Sequence, residues 1–273
     1  MKILITGSRG MLATDLINIA SQAGYETIGL DVDELDITNQ SQVQTKITEI
    51  KPDVIINCAA YTAVDQAEAE QEKCRAINVD GVKNLTDICL KRDIILVQIS
   101  TDYVFNGQQE SYNEDDPKDP INYYGQTKAE AEDYIRKNLI KYYLVRTSWL
   151  YGKNGKNFVE TISKLCAEKP EIKVVNDQIG RPTFTGDLSR GILNLLENKK
   201  EFGIYHLTND GSCSWFEFAQ EIARLQNLSC NILPCTTAEF PRPAKRPRYS
   251  VLNNNKTEKL REWKEALREY LDR

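Results

Sequence analysis

Apolar and polar positions alternate between two periods along the first 150 residues. Lys2–Thr6 (KILIT) is a short apolar run that ends at a glycine turn. Met11, Leu12, Leu16, Ile19, Ala20 and Ala23 then recur at helical spacing, and Gly24 closes that segment. Thr27–Leu30 reads as a second strand, ending at Asp31. Lys51-Pro52-Asp53 marks a turn before Val54–Cys58, a continuous apolar run of the kind buried on both faces of a sheet. A helix over 73–92 follows, then strands at Ile94–Ile99 and Tyr142–Val145. Strands alternating with helices predict an α/β fold. The expected form is Rossmann-like, a doubly wound and mostly parallel sheet with right-handed crossovers.

Beyond Gly152 the pattern weakens. It predicts helices near 158–167 and 186–197, strands at 173–175 and 204–207, and a helix opened by Ser214 with Glu217 in capping-box position. Pro241, Pro243 and Pro247 punctuate a basic loop, and an amphipathic helix is expected over 256–271. The expected division is a dinucleotide-binding domain over 1–150 and, over 151–273, mainly a smaller C-terminal substrate lobe. Some segments of the second part are expected to return to the sheet.

Composition narrows the functional classes. The chain has 273 residues, 27% of them charged, with a net charge of −5. That balance gives no broad attraction to nucleic acid or to an anionic membrane. No apolar run approaches the roughly 20 residues that span a bilayer, and the N-terminal run is too short for a signal peptide, so a cytoplasmic location is expected. The seven cysteines include no C-x-x-C pair and His206 is the only histidine. No metal site is therefore expected, the thiols read as small reduced core residues, and His206 reads as structural.

Candidate chemistry gathers at the carboxyl ends of the expected strands, where open α/β sheets bind ligands. Gly7-Ser8-Arg9-Gly10-Met11-Leu12-Ala13 lies between a strand and a helix. Glycines there let backbone approach a pyrophosphate, and the helix N-terminus offers free N–H groups. Asp31 can accept hydrogen bonds from a ribose, which favours NADH, whereas Arg9 can meet a 2′-phosphate. NADH and NADPH are both expected cofactors on this reading. Asp36 and Ile37 flank the same end, and Ala59, Ala60, Tyr61 and Thr62 follow the third strand.

Tyr124 and Lys128 form an i, i+4 pair on one helix face. A neighbouring ammonium favours the phenolate, so the tyrosine is expected to work as an acid–base nearer neutral pH. Thr101, just past a strand end, could reach the same carbonyl oxygen. Trp149 lies at the end of the fifth strand, where it can stack on a sugar face. Arg181 and the basic run Arg242, Lys245, Arg246 and Arg248 offer charge-assisted bonds to a diphosphate.

Together these stretches resemble the extended short-chain dehydrogenase/reductase superfamily, and more closely the dTDP-4-dehydrorhamnose reductase family. The likeness runs through Asn57–Glu68, Ser100–Phe105, Tyr124–Lys128, Arg146–Tyr151, Asn176–Thr183 and Arg246–Leu252, and so covers nearly the whole chain. It departs at Ala13, in place of glycine, and at Tyr61, where the family often has His. The resemblance implies that Gly10, Met11 and Leu12 touch the pyrophosphate and that Asp31, Asp36 and Ile37 hold the adenosine. Ala60, Tyr61 and Thr62 would line the way to nicotinamide. Tyr124 and Lys128 would bind its ribose and handle the proton, and Thr101, Asp102 and Trp149 would face the sugar.

The implied reaction is reduction of the 4-keto group of dTDP-4-dehydrorhamnose to dTDP-L-rhamnose, for deoxysugar and surface-polysaccharide synthesis. The expected partner is thus a nucleotide sugar, with a homodimer left open. Three alternatives stand beside it. A 4,6-dehydratase would carry Thr-Asp-Glu where this chain has Thr101-Asp102-Tyr103. Another sugar-nucleotide reductase or an epimerase would share most of the same residues. A non-catalytic protein similar to the regulatory subunit of methionine adenosyltransferase would not need Thr101, Tyr124 and Lys128.

Overall fold

A computed structural model describes residues 1–272. Six parallel strands form the central sheet: β1 (Lys2–Thr6), β2 (Glu26–Leu30), β3 (Val54–Asn57), β4 (Ile95–Thr101), β5 (Tyr142–Thr147) and β6 (Gly203–His206). Their spatial order is β6-β5-β4-β3-β1-β2. The order reverses at β1 and β3, which makes the cleft beyond their carboxyl ends the topological switch point. The doubly wound parallel sheet expected from the pattern is the sheet observed, and its last strand comes from the second half of the chain.

The sheet is buried on both faces, which is why β3 reads as an unbroken apolar run. On one face Ile3, Ile5, Val54, Ile56, Val97 and Val145 pack with Leu12 and Leu16 of α1 (Met11–Gln22). Leu188 and Ile192, from a later helix over Thr185–Glu197, complete that layer. On the other face Leu4, Ile55, Leu96 and Leu144 meet three helices: α2 (Gln40–Ile50), α3 (Gly81–Arg92) and α4 (Tyr123–Asn138). Burying each such side chain stabilises the fold by about 1.5–3 kcal/mol. Polar residues at the strand ends are paired: Thr6 Oγ1 donates to Asn57 Oδ1 at 2.5 Å, and Asn57 Nδ2 donates to Gln98 Oε1 at 2.8 Å. This buried row ties β1, β3 and β4 together where the cleft opens.

A separate apolar cluster lies in the second half of the chain. It joins Tyr151 and Phe184 with Val159 and Ile162 of α5 (Phe158–Glu168). The cluster also takes in Phe218 and Ile222 of α7 (Trp215–Leu225) and Trp263 and Leu267 of α8 (Trp263–Leu271), while α6 (Thr185–Glu197) packs on the sheet. The capping box expected at Ser214 and Glu217 is present.

Two elements differ from the pattern. The helix expected over 73–92 is interrupted by a π-helical turn, Ala76–Asp80, before α3. The C-terminal helix starts only at Trp263, because Leu260–Glu262 pairs as a strand with Asn209–Asp210. No helix among the described residues is long and apolar enough to cross a membrane.

Candidate active site

One cleft of about 910 Å³ opens beyond the carboxyl ends of β1 to β5. Its floor starts at the glycine turn. Gly7 has φ +64°, and a Cβ there would lie 2.9 Å from the Ala59 Cα. Only glycine lets the β1 turn lie against the β3 turn so closely. Gly10 precedes α1 with no side-chain cap, so the first-turn N–H groups of α1 have no side-chain acceptor there. Met11 and Leu12 also line the cleft, and Ala13 is fully buried under it. The small residue needed for helix–sheet packing is thus supplied by alanine.

At the far end, Asp31, Asp36 and Ile37 line the wall. Asp31 Oδ2 accepts from the Arg9 backbone N–H at 2.9 Å, and its Oδ1 accepts from the Val32 N–H. Arg9 itself turns its guanidinium to Asp33 at 2.8 Å. Ala59, Ala60 and Thr62 line the cleft, whereas Ser8, Arg9 and Tyr61 do not reach its walls. The loop around Tyr61 is fixed from behind. Asn78, in the π-helical turn, accepts from the Tyr61 N–H at 2.8 Å and donates back to its carbonyl at 3.1 Å.

Thr101, Tyr124 and Lys128 all line the cleft. Thr101 ends β4, and Tyr124 and Lys128 lie in the first turns of α4, whose N-cap Asn122 accepts from the Gly125 N–H at 2.8 Å. All three side chains are buried. Burial holds the Tyr124 phenol well above its usual range, the charge of Asp102 adds to this, and hydrogen bonding by Thr101 opposes it. Lys128 Nζ donates to the Ile99 carbonyl at 2.7 Å, and burial lowers its pKa to about 8, against the raising influence of Glu132. Desolvation is the dominant influence on the tyrosine, and the neighbouring ammonium is bonded to a carbonyl.

Asp102 accepts from the Thr101 hydroxyl at 2.8 Å through Oδ1, while its buried Oδ2 has no protein partner. Burial, only partly offset by its hydrogen bonds, pushes the carboxyl up to about 7. Trp149 adopts φ +47°, a backbone region disfavoured for a bulky residue. Its indole stacks on Trp215, with centroids 3.5 Å apart and planes 8° apart, and any Cβ at position 180 would strike it. Trp215 is backed in turn by Phe158 at 4.4 Å.

Arg181 and Arg246 lie outside the cleft lining. Arg181 faces Asp210 at 3.6 Å, and Arg246 pairs with Asp65 at 2.9 Å. His206 is fully buried against Arg146 and the Asn253 carbonyl, a structural setting. All seven cysteines are free thiols. Sequence reasoning missed Asn78 and Trp215; Thr147 and Ser148, which line the cleft, fell within the Arg146–Tyr151 stretch but were given no role of their own. Trp215 follows a recognisable cap, but nothing local says that the cap delivers it to a cleft 66 residues from Trp149 in sequence.

The sequence matches the RmlD substrate binding domain over residues 1–273. It is 43% identical to the Bacillus subtilis spore coat polysaccharide biosynthesis protein SpsK, across 99% of this chain and 96% of that protein. The structure superposes on a dTDP-4-dehydrorhamnose reductase from Clostridium acetobutylicum with a TM-score of 0.97 at 47% identity, covering 100% and 99% of the two chains. It also superposes on the Bacillus anthracis dTDP-4-dehydrorhamnose reductase in complex with NADP, with a TM-score of 0.96 at 43% identity, covering 99% and 98%. The chain belongs to the RmlD substrate binding domain family.

Proposed function

We propose that this protein is an NAD(P)H-dependent reductase of the 4-keto group of a dTDP-linked 6-deoxy sugar, with dTDP-4-dehydrorhamnose as substrate and dTDP-L-rhamnose as product. The observation that carries the reading is the meeting of Thr101, Tyr124 and Lys128 in one cleft with the glycine turn at its end. The cleft suits a dinucleotide: the Gly7 turn is a cradle a Cβ would fill, the α1 N-terminus faces it, and Asp31 stands beyond β2. Residues 1–150 hold the dinucleotide, and the parts of 151–273 packed outside the sheet close over the sugar nucleotide.

A nicotinamide cofactor held there would supply the hydride for the carbonyl carbon. Tyr124, protonated at neutral pH by its buried setting, donates its phenolic proton to the oxygen that becomes the hydroxyl. Thr101, whose one hydroxyl proton goes to Asp102 in the structure, would turn it to the same oxygen and fix that oxygen near the phenol. Lys128 supplies positive charge that stabilises the phenolate left behind, an interaction strengthened by the low dielectric of the buried site. Trp149, on its Trp215 support, presents an indole face to the sugar. Arg181 and Arg246 are the anchors for the diphosphate, which would exchange their present partners Asp210 and Asp65 for phosphate oxygens.

The test is turnover of the purified protein with the 4-keto sugar nucleotide and each reduced cofactor. Stoichiometric consumption of NADH or NADPH with a reduced sugar nucleotide as product supports the reading. Conversion without net cofactor consumption would make the protein an epimerase instead.

A further inference from the structure

Behind the catalytic residues lies a buried charged cluster that the proposed reaction does not use. Glu132 sits on α4, one helical turn after Lys128, with a side chain only 1% exposed. Arg146 of β5 grips its carboxylate with two bonds, Nε to Oε1 at 3.0 Å and Nη2 to Oε2 at 2.7 Å. Ser100 of β4, adjacent to Thr101, donates to Oε1 at 2.6 Å, and Lys118 approaches Oε2 at 3.5 Å. Arg146 also donates to the Glu114 carbonyl and lies 3.3 Å from the ring of His206 on β6.

We infer that Glu132 is a positioning residue for the Tyr124/Lys128 pair, fixing α4 against the strand end that carries Thr101 and keeping the Lys128 ammonium charged. Stability alone is a weak reason to bury such a pair, since well-packed apolar residues often serve as well. The cluster's location supplies another reason. One carboxylate bonds to β4 beside Thr101 and to β5, while its own helix carries Tyr124 and Lys128. Movement of α4 relative to β4 would therefore break charge-assisted bonds in the interior. Its charge also acts on Lys128. Glu132 is the foremost influence holding that ammonium's pKa up against burial; the other titratable groups facing it are the thiols of Cys58 and Cys74. Arg146 from β5 and Lys118 from the preceding loop flank the carboxylate, Lys118 also pairing with Asp133 at 2.8 Å, and His206 of β6 lies behind Arg146. Arg146 and Lys118 keep Glu132 ionised.

This inference rests on the reductase reading, so the wild-type protein is assayed first; absence of turnover there would count against that reading and not against Glu132. The experiment is the pH profile of kcat/KM for Glu132→Gln and Lys118→Met, with thermal unfolding as a check on folding. Glu132→Gln removes the anion and leaves two cations, so the alkaline limb is expected to move down by about one pH unit. Lys118→Met removes a cation and should move the limb upward by a few tenths. Its side chain is partly exposed, so that variant decides the matter should Glu132→Gln fail to fold. Opposite shifts support the inference. Folded variants whose rates fall with the limb unmoved would show that Glu132 is scaffold only, and overturn it.

Discussion

Lys128 and Tyr124 share one face of α4, yet the Lys128 ammonium donates to the Ile99 carbonyl at 2.7 Å while the Tyr124 phenol is held high by burial. A protonated phenol beside a cation is the state that the proposed reduction needs. On the proposed mechanism Lys128 is expected to limit the alkaline side, because burial lowers its pKa to about 8. The charged form is present below that value and lost above it. The rate of reduction is expected to fall as pH rises through about 8, well before the ordinary lysine range near 10.4. Lys128→Met should lower turnover by about 10²-fold or more and remove that limb. An alkaline limb that persists in the variant would assign it to another group.

Trp215 gives a prediction about the sugar side. Trp215→Ala removes the surface on which Trp149 stacks, an interaction worth about 0.5–1.5 kcal/mol. KM for the sugar nucleotide should rise about 2- to 10-fold, kcat should change less, and cofactor affinity should not change. Trp215→Phe should restore most of the loss. Steady-state kinetics at saturating cofactor check this, and equal losses in the Ala and Phe variants would contradict a stacking role.

Asp31 tests the cofactor end. Its carboxylate accepts from two backbone N–H groups and faces the cleft. Asp31→Ala removes a ribose acceptor and a charge that repels a 2′-phosphate. The ratio of kcat/KM for NADPH over NADH is expected to increase, by about tenfold for a loss near 1.4 kcal/mol. A ratio that stays fixed would mean that Asp31 does not read the ribose.

His206 ties stability to pH. Burial and the charge of Arg146 lower its pKa to about 3, from an unfolded value near 6.5. Between those values the unfolded chain binds a proton that the folded chain refuses. Stability from this group is present above about pH 6.5 and lost as pH falls toward 3, with a slope of up to about 1.4 kcal/mol per pH unit. His206→Gln should flatten that part of the profile in urea unfolding, even if the variant is less stable throughout.

Much of this was legible in the sequence because local physics wrote it there. Continuous apolar runs marked β1, β3 and β4, the glycine turn and Thr101 fell at strand ends where the sheet order puts a cleft, and the Tyr124/Lys128 spacing marked one face of a helix. What escaped was non-local. Trp215 meets Trp149 only through packing of the second-half elements, and Glu132 looks like any helical glutamate until Arg146 and Ser100 close on it. The π-helical turn at Ala76–Asp80 left no mark on the helical period, although it places Asn78 against the Tyr61 loop. Arg181 and Arg246 read as free phosphate ligands, but their carboxylate partners Asp210 and Asp65 lie far away in sequence.

The central claim is that the Tyr124 hydroxyl delivers the proton during reduction of a dTDP-linked 4-keto sugar. The most direct measurement is single-turnover oxidation of bound NADPH by the keto sugar nucleotide, comparing wild-type protein with Tyr124→Phe. The variant keeps the ring and loses one hydroxyl. Wild-type protein should oxidise the cofactor with one equivalent of reduced sugar nucleotide formed. Tyr124→Phe should bind cofactor normally and react about 10²–10⁴-fold more slowly. A variant that reacts at the wild-type rate would contradict the account.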